Sequence, residues 1–120
     1  MTGYVTFGGE ERGLTANGLS PVLYRAIFRE DFLTERVKCQ NDGGGLVELY
    51  GKMAFVMQKQ HETEQKNISK LFKLTDKDYF TWLVGLYGAD IENNLDKIVN
   101  IYGGNEVTMS DPKESESDKP

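Results

Sequence analysis

Cysteine and histidine occur once each in this chain of 120 residues, as Cys39 and His61. A lone thiol closes no internal disulfide, so a reducing compartment is expected. The pair makes no zinc site unless carboxylates join it. Long apolar runs are missing too, since none approaches the roughly 20 residues a membrane span requires. The opening MTGYVTFGG has neither the charged nor the apolar region of a secretory leader, and residence in the cytosol where the chain is made is expected. Positive charge is in deficit: 14 lysines and arginines stand against 19 acidic residues, for a net charge of −5. That balance opposes the counterion release that drives binding to a phosphate backbone. Arg25, Arg29, Arg36 and Lys38 do not repair it locally, because Glu30, Asp31 and Glu35 are interspersed among them. Neither nucleic acid nor membrane is expected as a partner.

Catalytic signatures are equally scarce. His61 lies in QKQHETEQK, a polar run with no second positioned acid or base. Cys39 precedes the glycine-rich QNDGGG, where a tolerated or partly buried thiol is the ordinary reading. That glycine run is followed by Leu46-Val47-Glu48 rather than the Lys and Ser or Thr of a phosphate-binding loop. The nucleophile-elbow pattern G-x-S-x-G is absent. No enzyme activity, cofactor or metal is expected.

What the chain does have is apolar surface. Hydrophobic residues make up 38% and aromatics 11%, enough for one core in a chain too short for two ordinary domains. YVTF followed by Gly8-Gly9 predicts a short amino-terminal β-hairpin, which must lean on something else to be stable. In LSPVLYRAIF, Ser20 is expected to cap a helix, Pro21 suits its first turn and Leu19 can pack on Tyr24. Phe28 and Phe32 extend its apolar line. QNDGGG, residues 40–45, is expected to be a flexible loop.

From Leu46 onward a second helix carries Leu49, Tyr50, Met53, Ala54 and Met57 on one face, while Phe55 and Val56 fall outside it. A helix apolar around most of its girth is either enclosed on two sides or keeps one face for a partner. QKQHETEQKN is expected to be a solvated helix end and connector without packing information. Thr75 and Asp78 form a capping-box variant. The following helix has Phe80, Leu83, Val84 and Tyr87 on one face and Tyr79, Trp82 and Leu86 on the next. Gly88 is expected to end it and Asp90 to cap a final helix with Ile91, Leu95, Ile98 and Tyr102 inward and Asn93 and Asn100 turned away, closed by Gly103-Gly104. The fold class expected is mainly α: a single small helical domain over residues 1–109 with a short N-terminal hairpin. SDPKESESDKP, with no hydrophobe, makes 110–120 a disordered polar tail.

The segments YVTFGGEERGLTANGLSP, PVLYRAIFREDFL, MAFVMQKQ, YFTWLVGLYGADIENNLDKIVNIYGGN and EVTMSDPK, in that order, resemble the tail assembly chaperones of long-tailed bacteriophages and prophages of Gram-positive bacteria. The resemblance runs over most of residues 4–112, and its specificity lies in combination and order, since no segment is catalytic. It implies a small helical adaptor that binds the tape-measure protein, keeps it soluble and helps bring the major tail-tube protein to it. It also implies an association with a longer, frameshifted form, residence in the cytoplasm of the bacterial host, and absence from the mature virion. Together with the apolar surplus, it leads to an expected helix-binding or self-association surface built from Tyr24, Phe28, Met53, Phe55, Val56, Met57, Tyr79 and Trp82. Two other readings stay open: a structural tail or head-completion protein retained in the virion, whose hairpin adds a strand to a neighbour, and a small phage regulatory protein.

Overall fold

Two glycines turn the first strand back on itself. Gly8 and Gly9 sit at φ 61° and 80°, values open to a residue without a Cβ at little cost. They join β1 (Thr2–Phe7) to β2 (Glu10–Thr15) as the expected antiparallel hairpin, with Thr2 opposite Thr15 and Phe7 opposite Glu10. Val5, Phe7 and Leu14 are buried, and the alternating Tyr4 and Thr6 face out. The computed structural model describes residues 1–110, with side chains through residue 104.

Helix α1 (Leu19–Phe28) begins differently from expectation. Gly18 holds the cap position, and Asn17 Oδ1 accepts from the Leu19 N–H at 2.9 Å. Ser20 is not the cap. Its hydroxyl lies within the first turn, buried, and donates to Gln60 Oε1 at 2.6 Å. The helix stops at Arg29, whose φ of 60° is left-handed and whose N–H still reaches Arg25 O. The apolar line from Phe28 to Phe32 therefore crosses a break. Asp31 starts α2 (Phe32–Lys38) by accepting from the Thr34 N–H at 2.9 Å.

QNDGGG is also only partly a loop. Asp42 caps α3 (Gly43–Glu62) by accepting from the Gly45 N–H at 3.0 Å, so the glycines form the first turn. Their poor propensity is offset because the same helix buries Leu49, Tyr50 and every residue from Met53 to Gln58. The expected helix end in QKQHETEQKN runs to Glu62. Gln58 and Gln60 are buried, which corrects the reading of that run as purely solvated. A 3₁₀ segment, Gln65–Lys73, contributes buried Leu71.

Thr75 and Asp78 form the predicted box at the start of α4 (Asp76–Val84), the Asp78 carboxylate accepting from the Thr75 N–H at 2.8 Å. That helix ends at Gly85, three residues before the expected Gly88. The last helical stretch is split by Asn94 into α5 (Asp90–Asn93) and α6 (Leu95–Ser110). The side-chain amide of Asn94 donates to Thr6 O and Asp90 O at 2.9 Å, and its Oδ1 accepts from the Thr6 N–H at 3.3 Å. Asp90 stands inside α5 rather than capping it, and its Oδ2 accepts from the N–H groups of Gly8 and Tyr87, both at 2.7 Å. The two side chains tie the hairpin to α5 and occupy the outer edge of β1 at Thr6. Gly103-Gly104 do not close α6. A Cβ on Gly104 would meet the end of the Met1 side chain, which packs over it.

The hairpin lies along α3 through β2, with α5 and α6 on β1 and α1, α2 and α4 around the rest of α3. One apolar cluster runs from Val5 to Tyr102. Except for Ser110, the expected tail at 110–120 lies outside the described residues.

Candidate protein-binding surface

Seven of the eight residues expected to form a helix-binding or self-association surface are interior: Tyr24, Met53, Phe55, Val56, Met57, Tyr79 and Trp82 are buried, and Phe28 is half-buried. The structure brings them together, but as a core. Phe55 stands 5.6 Å from Trp82 and 5.7 Å from Tyr79, and Phe28 lies 5.3 Å from Tyr79 and 5.0 Å from Tyr24, measured between ring centroids. These are edge-to-face, tilted and offset distances at which aromatic pairs attract. The physical reason is enclosure. Hairpin, α1 and α4 approach α3 from different sides, so its whole apolar girth is used in folding and none of Met53–Met57 is left for a client.

The polar atoms inside this core have partners. Trp82 Nε1 donates to Gln58 Oε1 at 2.9 Å, and Gln60 Nε2 donates to Asn17 Oδ1 at 2.9 Å. The Tyr24 hydroxyl donates to Glu30 Oε1 at 2.5 Å, and Lys52 Nζ approaches the same oxygen at 3.0 Å. Burial first, then the bond to Glu30, raises the Tyr24 phenol well above its ordinary range. Burial alone would raise the Glu30 carboxyl, yet the Tyr24 hydroxyl and the Lys52 ammonium outweigh it and hold that carboxyl low. These groups lock the α1–α2 corner onto α3, and Glu30 and Lys52 also border a depression at the surface.

His61 and Cys39 are not assembled into a site either. His61 Nδ1 is 3.1 Å from Thr15 Oγ1, its ring lies edge-on to Tyr4, and a Cβ on Gly13 would overlap that ring. Cys39 lines a separate depression with Glu30, Glu35, Asp42, Glu48 and Lys52. Among the described residues, no three His, Cys, Asp or Glu side chains cluster as metal ligands do. No helix among them is long and apolar enough to cross a membrane.

The apolar surface that remains outside is elsewhere. Phe80, Val84 and Tyr87 are 59%, 85% and 67% exposed, on the outer side of α4 and its exit, with the Phe80 ring 5.6 Å from that of Tyr79. Asp76, Phe80 and Val84 are four residues apart in turn, one row along the helix and about 12 Å long at 1.5 Å per residue. At its Asp76 end the row meets a groove of about 380 Å³ lined by Ala26, Ile27, Phe28, Arg29 and residues 72–76. Phe72, in the groove, is itself exposed. Groove and row adjoin at Asp76, across the end of α1 and the length of α4. Sequence reasoning assigned the Tyr79–Trp82 arc of α4 to a surface, and that arc is the buried one. The signal that separates the arcs is Asp76, a carboxylate exposed on the Phe80–Val84 row, whereas the Tyr79–Trp82 row carries no charge beyond the cap.

Comparison with protein-family models, with curated proteins and with solved structures produced no match.

Proposed function

We propose that this chain is a non-enzymatic tail assembly chaperone of a long-tailed phage or prophage, one that binds the tape-measure protein in the host cytoplasm, keeps it soluble and helps recruit tail-tube subunits. The observation that carries the reading is the exposed track of Phe72, Phe80, Val84 and Tyr87 on a fold whose core is already complete without them. Contiguous exposed apolar surface on a small domain marks a protein interface. Reversible apolar contact suffices to hold a client helix, and the net charge of −5 favours a loaded complex that stays dispersed. Self-association or pairing with a longer frameshifted form would use the same track. Retention in the virion through strand addition at β1 is less well supported, because Asn94 and Asp90 already bond the Thr6 and Gly8 backbone.

The test is co-expression with the tape-measure protein of the same genome, scoring soluble client with wild type and with a Phe80→Ser, Val84→Ser double variant. Client that is soluble only with the wild type supports the reading. Client equally soluble without this chain refutes it.

A further inference from the structure

The face around the groove has its own charge. Residues 66–77 carry Lys66, Lys70, Lys73 and Lys77 against one carboxylate, Asp76, in a chain whose net charge is −5. Lys66 is engaged with Glu64 at 3.3 Å. Arg29, Lys70, Lys73 and Lys77 make no ion pair among the described residues. Two of these four cations, Arg29 and Lys73, line the groove itself, beside Phe28, Phe72 and Leu74. Arg29 is placed there by the left-handed turn that ends α1, the one positive φ among the described residues that is not at glycine. Such a conformation is costly outside glycine and persists where the surroundings hold it. Two cations against the one carboxylate of Asp76, beside the side chains of Phe28, Phe72 and Leu74 on an otherwise acidic protein, have a complement: apolar side chains bordered by carboxylates.

We propose that the groove between the end of α1 and residues 72–76 takes an amphipathic helical segment of a partner protein whose apolar stripe is bordered by aspartate or glutamate. Phe28, Phe72 and Leu74 receive the stripe, Arg29 and Lys73 the carboxylates. The inference rests on the reading of this chain as a client-binding adaptor and specifies the chemistry of the client segment. A protein segment is favoured over nucleic acid because Phe28, Phe72 and Leu74 line the groove together with the Asp76 carboxylate, and the net charge of −5 repels phosphate. Charge at such a rim sets which partner binds and in which register more than how tightly the apolar stripe holds.

Three synthetic amphipathic peptides with one shared leucine stripe, bordered by glutamate, glutamine or lysine, test it by fluorescence anisotropy against the full chain. The glutamate peptide is expected to bind about tenfold tighter than the lysine peptide, as two partly exposed pairs changing from attraction to repulsion would give, with the gap closing at high salt. Arg29→Glu with Lys73→Glu is expected to reverse the order. Lys73→Glu alone, at an exposed position the fold does not use, is expected to shrink the gap, which covers failure of the double variant to fold. Equal binding of the three peptides, an order unchanged by the charge reversals, or displacement of the bound peptide by duplex DNA but not by excess unlabelled peptide overturns the proposal. The co-expression assay reads the client function independently. Soluble tape-measure protein together with equal peptide binding sinks the charge inference alone, and selective glutamate-peptide binding without client rescue sinks only the functional reading.

Discussion

Trp82 and Gln58 face each other inside the protein, the indole N–H donating to the amide oxygen at 2.9 Å on a helix that the sequence marks as apolar. A buried indole without an acceptor would cost more than the bond contributes, because the donor has left water and found nothing in exchange. Gln58→Leu keeps the volume and removes the acceptor. It is expected to lower stability by about 1–3 kcal/mol, read as a lower urea midpoint with an unchanged slope. Trp82→Phe in the same background should then cost less than it does in the wild type, since the orphaned donor has gone.

The core and the outer row of α4 should separate cleanly under mutation. Phe55→Ala empties a fully buried ring site and is expected to cost about 3–5 kcal/mol. Phe80→Ser and Val84→Ser touch exposed side chains and are expected to move stability by no more than about 0.5 kcal/mol each. Thermal unfolding followed by circular dichroism measures both. A large loss at Val84 would mean that α4 packs with its other face inward.

Two glycines predict opposite outcomes for the same change. Gly8 has a φ of 61° and a Cβ there would overlap the Gly85 carbonyl oxygen, so the hairpin turn presses on the end of α4. Gly8→Ala is expected to destabilise by more than about 1 kcal/mol. Gly18 has a right-handed φ of −61° and open space around it. Gly18→Ala is expected to be neutral or to stabilise by up to about 1 kcal/mol, through a less flexible unfolded chain. Paired denaturation curves decide between them.

Acid should weaken the α1–α2 corner. The Glu30 carboxyl is held below its ordinary value by Tyr24 and Lys52 against the effect of burial. The folded state therefore releases that proton more readily than the unfolded one, and the stabilisation is complete above the ordinary carboxylate value, about 4.3. It is lost as pH falls through the lower folded value. Glu30→Gln is expected to flatten the acid side of the stability profile while leaving the slope near neutrality unchanged.

Alkali should act through two phenols. Burial, with a smaller contribution from Glu48, pushes Tyr79 up to about 12, and Tyr24 is raised as well. The folded state then keeps these protons above pH of about 10, where an unfolded tyrosine loses them. Stability is complete below that value and declines as pH rises through the folded values. Tyr79→Phe is expected to make the decline shallower in a pH series of urea midpoints.

Local signals carried the hairpin, the Thr75–Asp78 box and the inward positions of α6, because each depends on neighbours within a few residues. Gly8-Gly9 turns in any context, and a carboxylate three residues after a threonine can cap wherever helix follows. Some misread segments were settled locally, as where Asp42 caps the Gly45 N–H, but others took their structure from partners far along the chain. Gln60 is buried because Ser20, 40 residues earlier, donates to it. Asn94 breaks the last helix to bond Thr6, 88 residues away. Composition and charge patterning thus determined by themselves a mainly helical domain with an N-terminal hairpin and a surplus of apolar surface. Which part of that surplus is core and which is left outside was decided by tertiary structure alone. A helix with a wide apolar arc has no preferred face until its neighbours arrive, and here hairpin, α1 and α4 pack on α3, Met53–Met57 are buried, and Phe80, Val84 and Tyr87 are left to the solvent.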